Sequence, residues 1–231
     1  MRLFLLVLIC LSASFPALNQ ERTERERPAV TKIGKNLYRL GEIEIDAEAR
    51  TITFPVVVNM REGGPIEYIL VHEHGKVHES ILTTSISPLN LSIALKLLKF
   101  EDGYGDVFNL LLPPELLETE GGTEAERGDG FYFDFLPDGK SVALRAEDLI
   151  LDGITGKPMD GAPWIFTGSK MENEIYMAES EGSVVAIYLD YLAIFNMTID
   201  GADTDERWGA NSNLIPEIGT QGKFVIRAAE D

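Results

Sequence analysis

Phe131-Tyr132-Phe133-Asp134-Phe135, then Pro137-Asp138-Gly139-Lys140, then Ser141 to Ala146, is the stretch on which the fold turns. Aromatic residues at alternate positions place one apolar row on one side of a strand, because successive side chains of a pleated backbone point to opposite faces. Pro137 presets the φ of a turn position, Asp138 can bond to its own backbone, and Gly139 accepts a positive φ. Two strands joined by that tetrapeptide make a β-hairpin.

The same alternation recurs on either side. Ile43 and Ile45, then Ile52 and Phe54 into Val56-Val57-Val58, predict two strands joined at Asp46-Ala47-Glu48-Ala49. Ile66 to His72 and Val77 to Thr83 predict another hairpin, with Gly75 in its turn at positive φ. Ser87-Pro88 opens a helix over about 87–99: Ser87 suits the N-cap, Pro88 the first helical position, and Leu91, Ala94, Leu95 and Leu98 recur at helical spacing. Val107 to Leu112 reads as a strand closed by Pro113-Pro114, and Glu115 to Gly130 as an exposed acidic loop. Leu149 to Leu151, Trp164 to Phe166, Ile175 to Ala178, Val184 to Leu189 and Phe224 to Ile226 read as strands, and Asp190 to Asn196 as a helical turn. The expected class is α+β, strand-dominated, with antiparallel sheets and hairpins and one clear helix.

The N-terminus differs in character. Arg2 precedes an apolar run from Leu3 to Leu11 and the small residues Ser12, Ala13 and Ser14, so residues 1–17 read as a secretory signal peptide. That run is shorter than the roughly 20 residues a spanning helix needs. Residues 18–40, opening on a Glu/Arg alternation that ends at Pro28, read as a flexible charged tether, and 41–231 as a single domain. These features predict export to the periplasm or the extracellular space, with no membrane association beyond the signal.

With 38 acidic against 20 basic side chains, the net charge of −18 repels nucleic-acid phosphates and anionic lipid surfaces. Cys10 is the single cysteine and falls within the expected signal, so the mature chain should carry no disulfide, no iron–sulfur cluster and no thiol nucleophile.

All three histidines lie in His72-Glu73-His74-Gly75-Lys76-Val77-His78-Glu79. A three-residue turn at His74-Gly75-Lys76 would set His72 opposite His78, with His74 at the rim on the same face. Such a trio can hold a divalent transition metal with one position open, the arrangement of catalytic zinc sites. A two-residue turn at His74-Gly75 instead pairs Glu73 with Lys76 and sends His72 and His78 to opposite faces. Both registers are compatible with the sequence, and the spacing is not that of the helical zinc-protease motif.

Asp200-Gly201-Ala202-Asp203-Thr204-Asp205-Glu206 concentrates carboxylates without the order of a calcium-binding loop. Gly153-Ile154-Thr155-Gly156-Lys157 lacks the spacer and terminal hydroxyl residue of a phosphate loop and reads as a turn. Asn90-Leu91-Ser92 and Asn196-Met197-Thr198 match the N-glycosylation triplet.

Glu67-Tyr68-Ile69-Leu70-Val71, Gly75-Lys76-Val77-His78-Glu79-Ser80, Arg145 to Leu151, Gly156-Lys157-Pro158, Pro163 to Ser169 and Glu181 to Ala186 together resemble the YdjY-domain family of bacterial exported proteins, over about 54–228. The resemblance implies an exported domain without established catalytic residues. Some relatives carry cysteine clusters, which this chain lacks. The expected function is therefore a non-catalytic exported binding or accessory domain for a small molecule or protein, with no cofactor. The alternative is a metal-dependent, zinc-type hydrolase built on His72, His74 and His78.

Overall fold

A computed structural model describes residues 29–103, 128–159, 161–204 and 206–229. The expected signal peptide, the strand at 107–112 and most of the acidic loop after it lie outside the described residues.

The chain is strand-dominated, as expected, and its main sheet closes into an eight-stranded mixed β-barrel. An antiparallel meander comes first: β1 (Thr31–Gly34), β2 (Leu37–Leu40), β3 (Ile43–Asp46) and β4 (Thr51–Val58). β5 (Tyr68–His72), β6 (Ser80–Thr84) and helix α1 (Pro88–Leu97) follow. Then come β7 (Gly130–Pro137), β8 (Leu144–Arg145), β9 (Ile150–Asp152) and β10 (Trp164–Phe166). A small ribbon of β11 (Met171–Glu172) and β12 (Ile175–Tyr176) leads into the short helix α2 (Met177–Glu181). The last strands are β13 (Ser183–Ala186), β14 (Phe195–Asn196), β15 (Trp208–Ala210) and β16 (Gln221–Ala228).

The barrel runs β4-β16-β7-β10-β14-β13-β5-β6 and closes by pairing β6 with β4. Its long strands alternate as the sequence predicts. Phe131, Phe133 and Phe135 of β7 are buried, as are Phe224 and Ile226 of β16 and Ile52, Phe54, Val56 and Val58 of β4. These rows fill the interior, as side chains do in a barrel of this strand number. The Phe133 ring centroid lies 5.1 Å from that of Phe195, 5.3 Å from Phe224 and 5.6 Å from Trp164, spacings at which aromatic pairs attract.

The hairpin at Pro137 to Lys140 forms: Lys140 N–H donates to Pro137 O at 3.1 Å, Gly139 has φ +74°, and β8 returns beside β7. The helix forms where its cap places it. Ser87 Oγ accepts from Asn90 N–H at 3.2 Å, and Leu91, Ala94 and Leu95 are buried.

Five expectations are corrected. β5 and β6 are neighbours but run parallel, so no hairpin turns at Gly75, which does not use positive φ. Residues 73–79 instead fold back along β5, with a 3-10 turn at Val77–Glu79 where strand was expected. Parallel strands usually need a dozen or more connecting residues, so a gap this short reads as a hairpin. The segment expected as tether is strand from Thr31 onward, because Tyr38 and Leu40 pair with Ile45 and Ile43 and turn toward the core. Finally, Asp190–Asn196 ends in β14 rather than in a helical turn, and Ile175–Ala178 divides between β12 and α2.

β5 is buried along its whole apolar run. Ile69 and Leu70 join the main core, while Tyr68 and Val71 form a separate small cluster with Ala186 and Ala193, against which Val77 of the return segment packs. Lys76 Nζ reaches back to donate to Tyr68 Oη at 2.7 Å, and Tyr68 Oη donates to Asp190 Oδ2 at 2.8 Å. Burial, and then the Asp190 carboxylate, push the Tyr68 phenol well above its usual value, so it stays a proton donor.

Candidate functional site

The three histidines are not brought together. His72 ends β5 and His74 follows it, with ring centroids 4.1 Å apart. His74 N–H donates to His72 Nδ1 at 3.3 Å. His74 Nε2 donates to Glu179 O at 3.1 Å. Burial, and then the neighbouring His74, lower the pKa of His72 below the ordinary 6.5. His78 lies in the 3-10 turn, largely exposed, with Nε2 3.0 Å from Glu79 Oε1. Neither cross-strand register occurs, because each requires antiparallel pairing of β5 with β6. Among the described residues, no group of three or more His, Cys, Asp or Glu side chains is placed to hold a metal ion.

The other polar clusters serve the fold. Glu147 is buried; its carboxylate accepts from Trp164 Nε1–H at 2.9 Å and from Arg145 Nε–H at 3.2 Å. Arg207 tethers the acidic segment after β14, donating to both carboxylate oxygens of Asp152 at 3.2 and 3.0 Å and to Asp200 Oδ2 at 2.8 Å. The guanidinium holds Asp152 down at about 2, and these two carboxylates raise the pKa of Arg207. Ile154 N–H donates to Asp152 Oδ1 and Gly156 N–H to Asp152 O, so the glycine-rich stretch is a turn on this same aspartate. Asn196 is fully buried, its side chain donating to Thr167 Oγ1 and Asp190 O, so the second glycosylation triplet is structural.

A fork in the sheet is open to a ligand. One edge of β4 is shared: Thr51 to Thr53 pair with β3, and Val57 and Val58 pair with β6. Pro55 sits where the edge changes partner. Its carbonyl accepts from Thr84 Oγ1 at 2.8 Å, and its missing N–H leaves no donor stranded in the gap. The strands diverge here and leave a cleft of about 340 Å³, lined by Arg39, Glu42, Glu44, Thr53, Pro55 and Lys223, with Gly41 and Phe54. Arg39 Nη2 is 2.7 Å from Glu44 Oε1, while Lys223, opposite Pro55 on β16, takes no ion pair among the described residues. Of these residues only Phe54 stands out in the sequence, as a strand position, and none as a candidate site. The available signal was Pro55 inside an otherwise regular strand pattern, which marks an edge or an irregularity.

Among the described residues no helix is long and apolar enough to cross a membrane. No protein-family model, curated protein or solved structure matches the chain.

Proposed function

We propose that the protein is an exported, non-catalytic binding or accessory domain, acting in the periplasm or outside the cell, and that its ligand seats in the fork beside Pro55. The observation that carries this reading is the pairing of opposite charges in one open cleft: Lys223 and Arg39 against Glu42 and Glu44. A purely anionic ligand would meet the two glutamates, and a purely cationic one the lysine and arginine. A small polar molecule bearing both a carboxylate and an ammonium group meets a partner for each. Support also comes from the imidazoles of His72 and His74, the buried Glu147, and Tyr68, all engaged in bonds that hold strands and returns in place.

Amide NMR spectra of the protein titrated with a zwitterionic dipeptide test it. Shifts confined to Arg39–Glu44, Thr53–Pro55 and the neighbourhood of Lys223 are expected, and Lys223→Glu should abolish them. Shifts elsewhere, or identical shifts in Lys223→Glu, would remove the cleft as the binding site.

A further inference from the structure

The four charges around the fork are not equivalent. Arg39 and Glu44 face each other across β2 and β3 and are joined at 2.7 Å, so each already holds a counter-charge. Lys223 differs: its cross-strand neighbours are Pro55 on β4 and Leu136 on β7, and neither carries a charge. Asp134, further along β7, is taken by Arg227 at 2.7 Å. Glu42 accepts from the neutral Ser85 Oγ at 3.4 Å and takes no cation. Among the described residues, Lys223 and Glu42 are thus the two charges of the cleft left for a ligand.

Both flank Pro55. The register that sets Glu44 against Thr53, carried on by two residues, brings Glu42 level with Pro55 on one side of β4. Lys223 lies opposite Pro55 on the other side, and all three residues are exposed. Two strand spacings, about 10 Å, therefore separate the backbones that carry the two charges. Pro55 between them offers no hydrogen bond: it has no N–H, and its carbonyl is occupied by Thr84 Oγ1 at 2.8 Å.

We infer that the cleft selects a zwitterion whose ammonium and carboxylate are held apart by an apolar spacer, an ω-amino carboxylic acid being the simplest member. The carboxylate meets Lys223, the ammonium meets Glu42, and the methylene groups cross the Pro55 ring, where a polar spacer would find no partner. An α-amino acid, with both charges on one carbon, meets only one of the two partners at a time. This selection presupposes that the cleft is the binding site proposed above and adds the spacing of the ligand's charges.

Amide NMR titration of the protein with ε-aminocaproate and with alanine is the test, because the two ligands carry the same charges at different separations. ε-Aminocaproate should bind on the order of tenfold more tightly, since only it makes both charge-assisted contacts at once. Glu42→Gln should remove that advantage, whereas Glu44→Gln, which alters a group already paired with Arg39, should keep it. Should Glu42→Gln misfold, Lys223→Gln should remove the same advantage. Equal affinity for the two ligands, equal losses in Glu42→Gln and Glu44→Gln, or cleft shifts with the dipeptide alone would overturn the inference and leave the cleft as the site. Absence of cleft shifts with ε-aminocaproate and the dipeptide alike would overturn both.

Discussion

Gly182 and Gly75 meet backbone to backbone: a Cβ placed on Gly182 would stand 2.8 Å from Gly75 Cα and 3.2 Å from His72 Cβ. Gly182 also ends α2 in the left-handed region, at φ +74°. Gly182→Ala therefore combines a backbone penalty with a collision and should cost about 2–3 kcal/mol. Gly139→Ala, at the same φ with nothing within 4 Å, should cost only about 1 kcal/mol. Urea unfolding of the two variants checks this, and equal costs would mean the contact of Gly75 with Gly182 does not constrain the chain.

Glu147 is the acceptor for a buried indole. Glu147→Ala leaves Trp164 Nε1–H without its partner and should destabilise by about 1–3 kcal/mol, whereas Glu147→Gln keeps an acceptor and should recover most of the loss. Denaturation followed by tryptophan fluorescence reports both the stability and the environment of Trp164.

His72 links stability to pH. Its folded pKa is lowered, so its contribution is complete above the ordinary value of 6.5 and is lost as pH falls through the lower folded value. Protonation also turns Nδ1 into a donor facing the His74 N–H. Between about pH 7.5 and pH 5 the wild type should lose more melting temperature than His72→Asn, measured side by side. Parallel curves would assign the acid sensitivity to other groups.

Asp152 behaves in the same sense at lower pH. With its pKa held at about 2, its contribution through the pair with Arg207 is complete above the ordinary 3.8 and is lost progressively as pH falls from there through the folded value. Arg207→Met should return the Asp152 carboxyl toward 3.8 or above and free the segment around Asp200. Carboxyl NMR titration reads the first effect, and exchange of amides near Asp200 reads the second.

Metal analysis of untagged protein separates the two functional readings. A binding domain that uses its histidines structurally should take up no stoichiometric zinc at micromolar concentration. One equivalent of zinc, lost in both His72→Ala and His78→Ala, would return the hydrolase alternative, since two remaining imidazoles hold a divalent ion poorly.

Local physics was legible in the residues themselves. The alternating phenylalanines of β7, the paired strands β3 and β4, the turn at Pro137 to Lys140 and the capped start of α1 each depend on periods and φ preferences that act over a few residues. The choice of partner for each strand edge belonged to the tertiary structure. Tyr68 to Val71 are buried between β13 and β6, and residues 73–79 fold back so that β6 runs parallel to β5, which sends His78 away from His72. The cleft likewise exists because β4 divides one edge between β3 and β6 around Pro55, residues far apart in sequence. An unpaired N–H or C=O is satisfied by whichever backbone arrives beside it, and no local pattern encodes which one that is.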